Sequence, residues 1–373
     1  MKITVLVLYG LMMVCVLVIS ARKSLNVHDF FLGGRKMGPW FSAFAYGTSY
    51  FSAVIIIGYA GKIGWGHGLS ATWIGIGNAF LGNWLAWRVL AGRTHRMGLS
   101  LGVCTMPGFF EKRYDSKALK VFSALLIFVF LVPYSASVYQ GMGYLFEVAL
   151  GLDFFWCVLG IAALASLYLF AGGYRATSIS DFLQGCIMLV GIVLMVIFVV
   201  RGASVDPVTG QSGGLSAVFR RMNEAGGAGF ASILGPKGQE KSLLSLVLLT
   251  SFGTWGLPQM MHKFFAIRDQ AAVKQATVIS TVFCLLLAGG AYFMGGFGRQ
   301  ILGNQVPAGG LDHVMPQVFT SVAVGMPDAL LGLVVVLVLS ASMSTLTSLV
   351  LASASALVLD LGSVVCPQMK PKT

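Results

Sequence analysis

The chain of 373 residues is 57% hydrophobic and only 10% charged, with 47 glycines and a mean hydropathy of +0.83. Soluble domains carry about 25% charged residues, so composition excludes an ordinary soluble domain and points to an all-α polytopic membrane protein. The net charge of +12 does not indicate a nucleic-acid partner, because the basic residues sit in short loops between apolar runs, where they record topology.

Nine apolar spans are expected, at roughly 3–20, 39–62, 70–92, 119–150, 153–172, 179–200, 242–262, 275–298 and 328–360. The first, Ile3 to Ile19, is too long for a signal-peptide core and lacks a small-residue cleavage site after it, so it reads as a membrane helix. When loops are assigned alternately to the two faces, one face collects 17 of the 25 Lys and Arg, including Arg22, Lys23, Arg35, Lys36, Lys120, Arg175, Lys263, Lys274 and Lys370. By the positive-inside rule that face is cytoplasmic, with the N-terminus outside and the C-terminus inside. The six cysteines (Cys15, Cys104, Cys157, Cys186, Cys284, Cys366) form no CxxC pair, which argues against a metal or disulfide framework.

Between the first two spans, Asp29-Phe-Phe-Leu-Gly-Gly-Arg-Lys-Met-Gly-Pro-Trp40 supplies glycines for a tight turn at the membrane face. The second span then carries Gly47-Thr48-Ser49 in mid-membrane, a candidate helix break whose freed carbonyls would face a cavity. A glycine tolerated in a packed helix is the competing reading. In the fourth span, Tyr139 and Gln140 put polar tips on an apolar wall, as suits a small organic ligand, although Tyr is also an ordinary packing residue. Asp181 opens the sixth span, where an ionisable residue can simply snorkel to water or can line an ion path. Residues 201–241 read as an external loop with Gly213 to Glu224 helical, and Gly253, Gly256 and Pro258 should interrupt the seventh span near Thr254 and Trp255. Met260 to Lys274 reads as a basic cytoplasmic return.

The last span is uncharged from Leu330 to Leu359, yet seven hydroxyl residues fall between Leu339 and Ser355: Ser340, Ser342, Ser344, Thr345, Thr347, Ser348 and Ser353. Small hydroxyl residues let membrane helices pack closely. Ala341, Ser344 and Thr345 also share one helix face by spacing. Two hydroxyl oxygens and a carbonyl there make a neutral oxygen cluster suited to a hard, weakly held cation such as sodium.

Phe30-Phe-Leu-Gly-Gly-Arg35, Gly47-Thr-Ser-Tyr-Phe-Ser-Ala53, Gly172-Gly-Tyr-Arg-Ala-Thr-Ser-Ile-Ser-Asp-Phe-Leu-Gln184 and Ala341-Ser-Met-Ser-Thr345 together resemble the sodium:solute symporter family, in its order and spacing, across essentially the whole chain. The resemblance implies the LeuT-type fold: a leading helix (3–20), a first repeat (39–200), an external loop (201–241), an inverted second repeat (242–360, here lacking its ninth and tenth core helices) and a cytoplasmic tail (361–373). It implies a multi-pass cell-membrane symporter, not an enzyme, importing a small polar solute (a sugar, sugar acid, amino acid or carboxylate) with sodium. A transporter-like sensor module and an inactive shortened symporter are the alternative readings. Carried over by position, the sodium ligands would be Thr48, Phe51, Ala341, Ser344 and Thr345, and the substrate contacts Tyr50, Tyr139, Gln140, Thr254 and Trp255. Asp181 would line the ion path rather than bind the ion directly. The family's proline carriers have an acidic residue at Tyr50, and a tryptophan and a tyrosine at Thr250 and Thr254, so the resemblance does not extend to a proline pocket.

Overall fold

The computed structural model describes residues 2–21, 27–151, 153–206, 211 and 213–365. Arg22 and Lys23 of the first basic loop and Cys366 to Thr373 of the tail lie outside the described residues. Among the described residues the fold is all-helical, with an isolated bridge between Met37 and Ile267.

The helices that position the site are α1 (Lys2–Ala21), α2 (Pro39–Tyr50), α3 (54–67) and α4 (72–100), α5 (Met106–Tyr114) and α6 (Lys117–Leu150). They continue as α7 (154–172) and α8 (Gly173–Ser204), α9 (Leu215–Gly226), α10 (Glu240–Gly253) and α11 (Pro258–Ala266). The last two are α12 (Gln270–Ile301) and α13 (Asp328–Val365). Among the described residues, α8, α12, α13 and the 117–143 part of α6 are long and apolar enough to cross a membrane alone. The α2–α3/α4 and α10–α11 pairs are so only as bent pairs.

α13 is the axis of the molecule. Most of its residues from Leu330 to Ala352 are buried, and it packs against α1, α2, α6 and α8. A helix apolar on every side belongs inside a bundle, which explains why its hydroxyl run faces protein. α3 and α12 meet at Gly64 and Gly295, where a Cβ on either would overlap the other helix's backbone.

The expected break in the second span is present, but it falls two residues beyond the Gly-Thr-Ser cluster. The Thr48 hydroxyl donates to Phe44 O at 2.9 Å and that of Ser49 to Ala45 O, so both stay within the helix by bonding one turn back. Gly47 also remains helical; its missing Cβ makes room for the Phe283 ring. The chain leaves the helix at Phe51 (φ −87, ψ 95) and bends by 55° before α3. The freed Ala53 N–H donates to Ser342 Oγ at 3.2 Å.

The second break lies where its residues predict. α10 tightens into a 3-10 turn at Thr254–Gly256, and Pro258 starts α11 after a bend of 51°. The loop expected at 173–178 is instead helical, because Gly173 (φ 57, ψ −164) turns α7 into α8 in a single residue, a conformation that glycine adopts without steric cost. Asp269 accepts the Ala272 N–H at 2.7 Å and caps α12. That bond and the Arg268 guanidinium hold its carboxyl below the usual range.

Candidate ion and solute site

The inner half of the first broken helix lies against the hydroxyl run of α13. Thr345 Oγ1 donates to Ala341 O at 2.9 Å and sits 3.2 Å from Thr48 O. Ser344 Oγ lies 2.8 Å from Thr48 Oγ1 and 2.6 Å from Asp181 Oδ1. Thr48, Ala341, Ser344 and Thr345 therefore converge, and all are at most 1% exposed. Phe51 is buried at the break, with its carbonyl turned out of the helix ladder. These are five oxygen positions without formal charge, the kind of donor set that suits a hard cation.

Asp181 is the residue whose position changes the picture. The residue expected to line the ion path has its carboxylate one hydrogen bond from Ser344. On its other side, Oδ2 is 3.8 Å from Lys263 Nζ, and both side chains are almost wholly buried. Lys263 donates to Ser348 Oγ at 3.1 Å, and Ser348 is 2.8 Å from Ser49 Oγ. The ammonium also lies 5.1 Å from the centre of the Tyr174 ring. Lys263 is thus not part of a solvated basic return: it ties α11 to α8 and α13, and through Ser348 to α2. Sequence reasoning missed it because it was counted with the loop charges. Its signal was a lone cation inside the apolar run Met260-Met-His-Lys-Phe-Phe-Ala266, which in a membrane is a functional feature.

The expected substrate contacts do not share one cavity. Tyr50 and Thr254 line the space between the two breaks with Asn78 and Asn83, but only about 10 Å³ is open there, no more than one water requires. Tyr50 OH donates to Thr250 O at 3.3 Å, Thr254 Oγ1 to Gly82 O at 3.1 Å and Trp255 Nε1 to Leu81 O at 3.0 Å. Their polar tips are held by backbone. Tyr139 is half-buried against the main core. Gln140 lines a separate cavity of about 190 Å³ with Lys62 and Asp312.

Two broken helices whose inner halves face a long buried helix define a LeuT-type transporter fold. A solved structure of a Na+-coupled sialic acid symporter, in a substrate-bound outward-open state, is similar over 100% of this chain and 75% of its own, with a TM-score of 0.79 and 17% identity. The chain belongs to the sodium:solute symporter family, whose model matches residues 30–372. It is 30% identical over 353 residues to a sodium/proline symporter of Salmonella typhimurium, covering 92% of this chain and 66% of that protein. It is 31% identical over 367 residues to one from Staphylococcus aureus, covering 93% of this chain and 65% of that protein. The chain thus spans just under two thirds of the length of these relatives. It is a multi-pass membrane protein.

Proposed function

We propose that the chain carries the sodium-coupled transport machinery for importing a small polar organic solute by alternating access. The observation that carries this reading is the convergence of Thr48, Ala341, Ser344 and Thr345 across α2 and α13. Sodium entering from outside takes the carbonyls of Thr48, Phe51 and Ala341 and the hydroxyls of Ser344 and Thr345. Bridging α2 to α13, it favours the state in which those helices stay together, and a ligand shifts an equilibrium only by such differential contacts. Release follows when the inner halves α2 and α11 part from α8 and α13, which requires the Lys263–Asp181 and Ser49–Ser348 contacts to open.

The solute belongs between the two breaks, against Tyr50, Thr254 and Trp255, once that space opens. Proline and sialic acid, the solutes named for the relatives, both carry a carboxylate, and a carboxylate-bearing solute is the reading we adopt here. The first repeat then runs from 39 to 200 and its partial inverted partner from 242 to 360, on either side of the external segment 201–241. The test is sodium-dependent protection of the purified chain against thermal unfolding, with potassium at equal ionic strength as control. A midpoint that rises with sodium, in proportion to the logarithm of its concentration above the dissociation constant, and does not rise with potassium supports the site. Equal shifts in sodium and potassium remove it.

A further inference from the structure

Two cavities lie along α8 and α12 beside the start of α4, one of about 360 Å³ and one of about 770 Å³. They adjoin at Thr72 and Phe293, which line both, and so form one groove. On α8, Val193, Val196, Ile197, Val200 and Ser204 line it and share one helix face by spacing. The floor is bare because of Gly289, where a Cβ would meet only Leu285 Cδ1 at 3.9 Å. Gly75 sets α4 against the same turn of α12, since a Cβ on it would overlap Gly289 N.

Among the described residues no charged side chain lines either cavity. Two of the polar groups that do are already engaged: Trp73 Nε1 donates to Ile233 O at 3.0 Å, and Ser204 Oγ to Arg201 O at 2.7 Å. A polar solute buried there would lose its water without replacement, so the groove suits an apolar occupant.

The surroundings say which one. Both α8 and α12 are long and apolar enough to cross a membrane. Val193, Ile197 and Leu286 on the groove walls are exposed, so it opens on the side that lipid would cover. From Ile192 to Ser204 the groove follows α8 for about 18 Å, slightly more than one leaflet of a hydrocarbon core roughly 30 Å thick. α9 and the 231–233 turn cover its far end. There Val218 and Met222 point into the protein while Leu215, Phe219 and Ile233 stay exposed. An amphipathic helix with an apolar rim and a tryptophan bonded beside it belongs at a membrane interface. Arg201, exposed in the last turn of α8, flanks the same end, and a guanidinium there matches a phosphate.

We propose that this groove holds an acyl chain of a membrane phospholipid, its methyl end near Gly289 and its phosphate beside Arg201. None of its residues belongs to the oxygen cluster or to the space between the breaks. The inference therefore stands apart from the transport reading and uses the proposed orientation only to place the lipid in the outer leaflet.

The full chain is reconstituted in vesicles of phosphatidylcholine and phosphatidylglycerol, with a phosphatidylglycerol carrying a diazirine at the end of one acyl chain as the probe. After irradiation, adducts are mapped by peptide mass spectrometry. Adducts on 192–197 and 285–290 exceed several-fold those on 129–132 of α6, a stretch whose Val129, Phe130 and Val132 are equally exposed. Gly289→Leu fills the floor with a better helix former and lowers the groove adducts several-fold, leaving the α6 adducts and the unfolding midpoint unchanged. Ile197→Trp, on the opposite wall, does the same. In native mass spectra of detergent-washed protein, the wild type retains a phospholipid that Gly289→Leu and Arg201→Gln lose. Groove labelling no stronger than that of α6, or labelling unaffected by both filling variants, overturns the proposal. So does an unlabelled groove in a chain that runs as a dimer, which would assign this face to a second copy. Retention by Arg201→Gln equal to that of the wild type overturns the placement of the phosphate.

Discussion

Thr345 and Thr347 are two residues apart on the same buried helix, and their hydroxyls do different things. Thr345 Oγ1 faces Thr48 O across the helix contact at 3.2 Å, whereas Thr347 Oγ1 donates only to Ser344 O of its own helix at 3.0 Å. Thr345→Val keeps the shape and removes one oxygen from the proposed ion shell, so sodium affinity should fall on the order of tenfold, measured by the sodium dependence of the unfolding midpoint. Thr347→Val should leave that dependence unchanged, and equal losses in both variants would mean general helix damage. Lys263 makes a different kind of case. Lys263→Met leaves the Asp181 charge buried without its counter-ion and should destabilise by about 3–5 kcal/mol; Lys263→Met with Asp181→Asn should recover most of that stability in thermal denaturation. A double variant as unstable as the single one would show that Lys263 acts through packing alone. The oxygen cluster was legible in the sequence because Ala341, Ser344 and Thr345 obey helical spacing. The Asp181–Lys263 pair was not, since the two residues are on different helices and no local pattern joins them.

At the scale of elements, the two breaks show what sequence can place. Gly253, Gly256 and Pro258 removed every good helical alternative, and α10 ends there. Gly47, Thr48 and Ser49 marked the right helix but the wrong residue, because hydroxyl groups that bond one turn back preserve a helix as readily as they disturb it. What fixes the break beyond Tyr50 is a partner from far along the chain: Ser342 Oγ receives the Ala53 N–H that the helix gives up. Ser342→Ala should therefore leave a buried donor unpaired and cost about 1–3 kcal/mol, read as a lower unfolding midpoint. Ser340→Ala, one step along the same hydroxyl run, removes a buried oxygen with no hydrogen bond in the structure and should cost less. If Ser340→Ala cost as much, the break would not depend on that hydrogen bond.

At the scale of the whole molecule, orientation follows from where the charges lie, and burial alters that count only slightly. Lys263 is inside the protein and drops out, so 17 of 25 basic residues on the proposed cytoplasmic face become 16 of 24. Lys120 remains at the end proposed to be cytoplasmic, held 2.8 Å from Glu111 where α5 meets α6. Arg88, Arg93 and Arg96 extend along α4 on the same side, while Arg220 and Arg221 sit on α9 in the segment proposed to be external. The energetic argument is that translocating a basic cluster across the bilayer is disfavoured, whichever helices bend inside it. The bends also explain why topology is robust to errors in span boundaries: a broken span still crosses once, so α2–α3 and α10–α11 each keep the alternation of sides. A reporter inserted after Asp115 or after Asp269 should read cytoplasmic, and one inserted within 227–235 should read external. A cytoplasmic signal from 227–235 would invert the proposed direction of sodium entry.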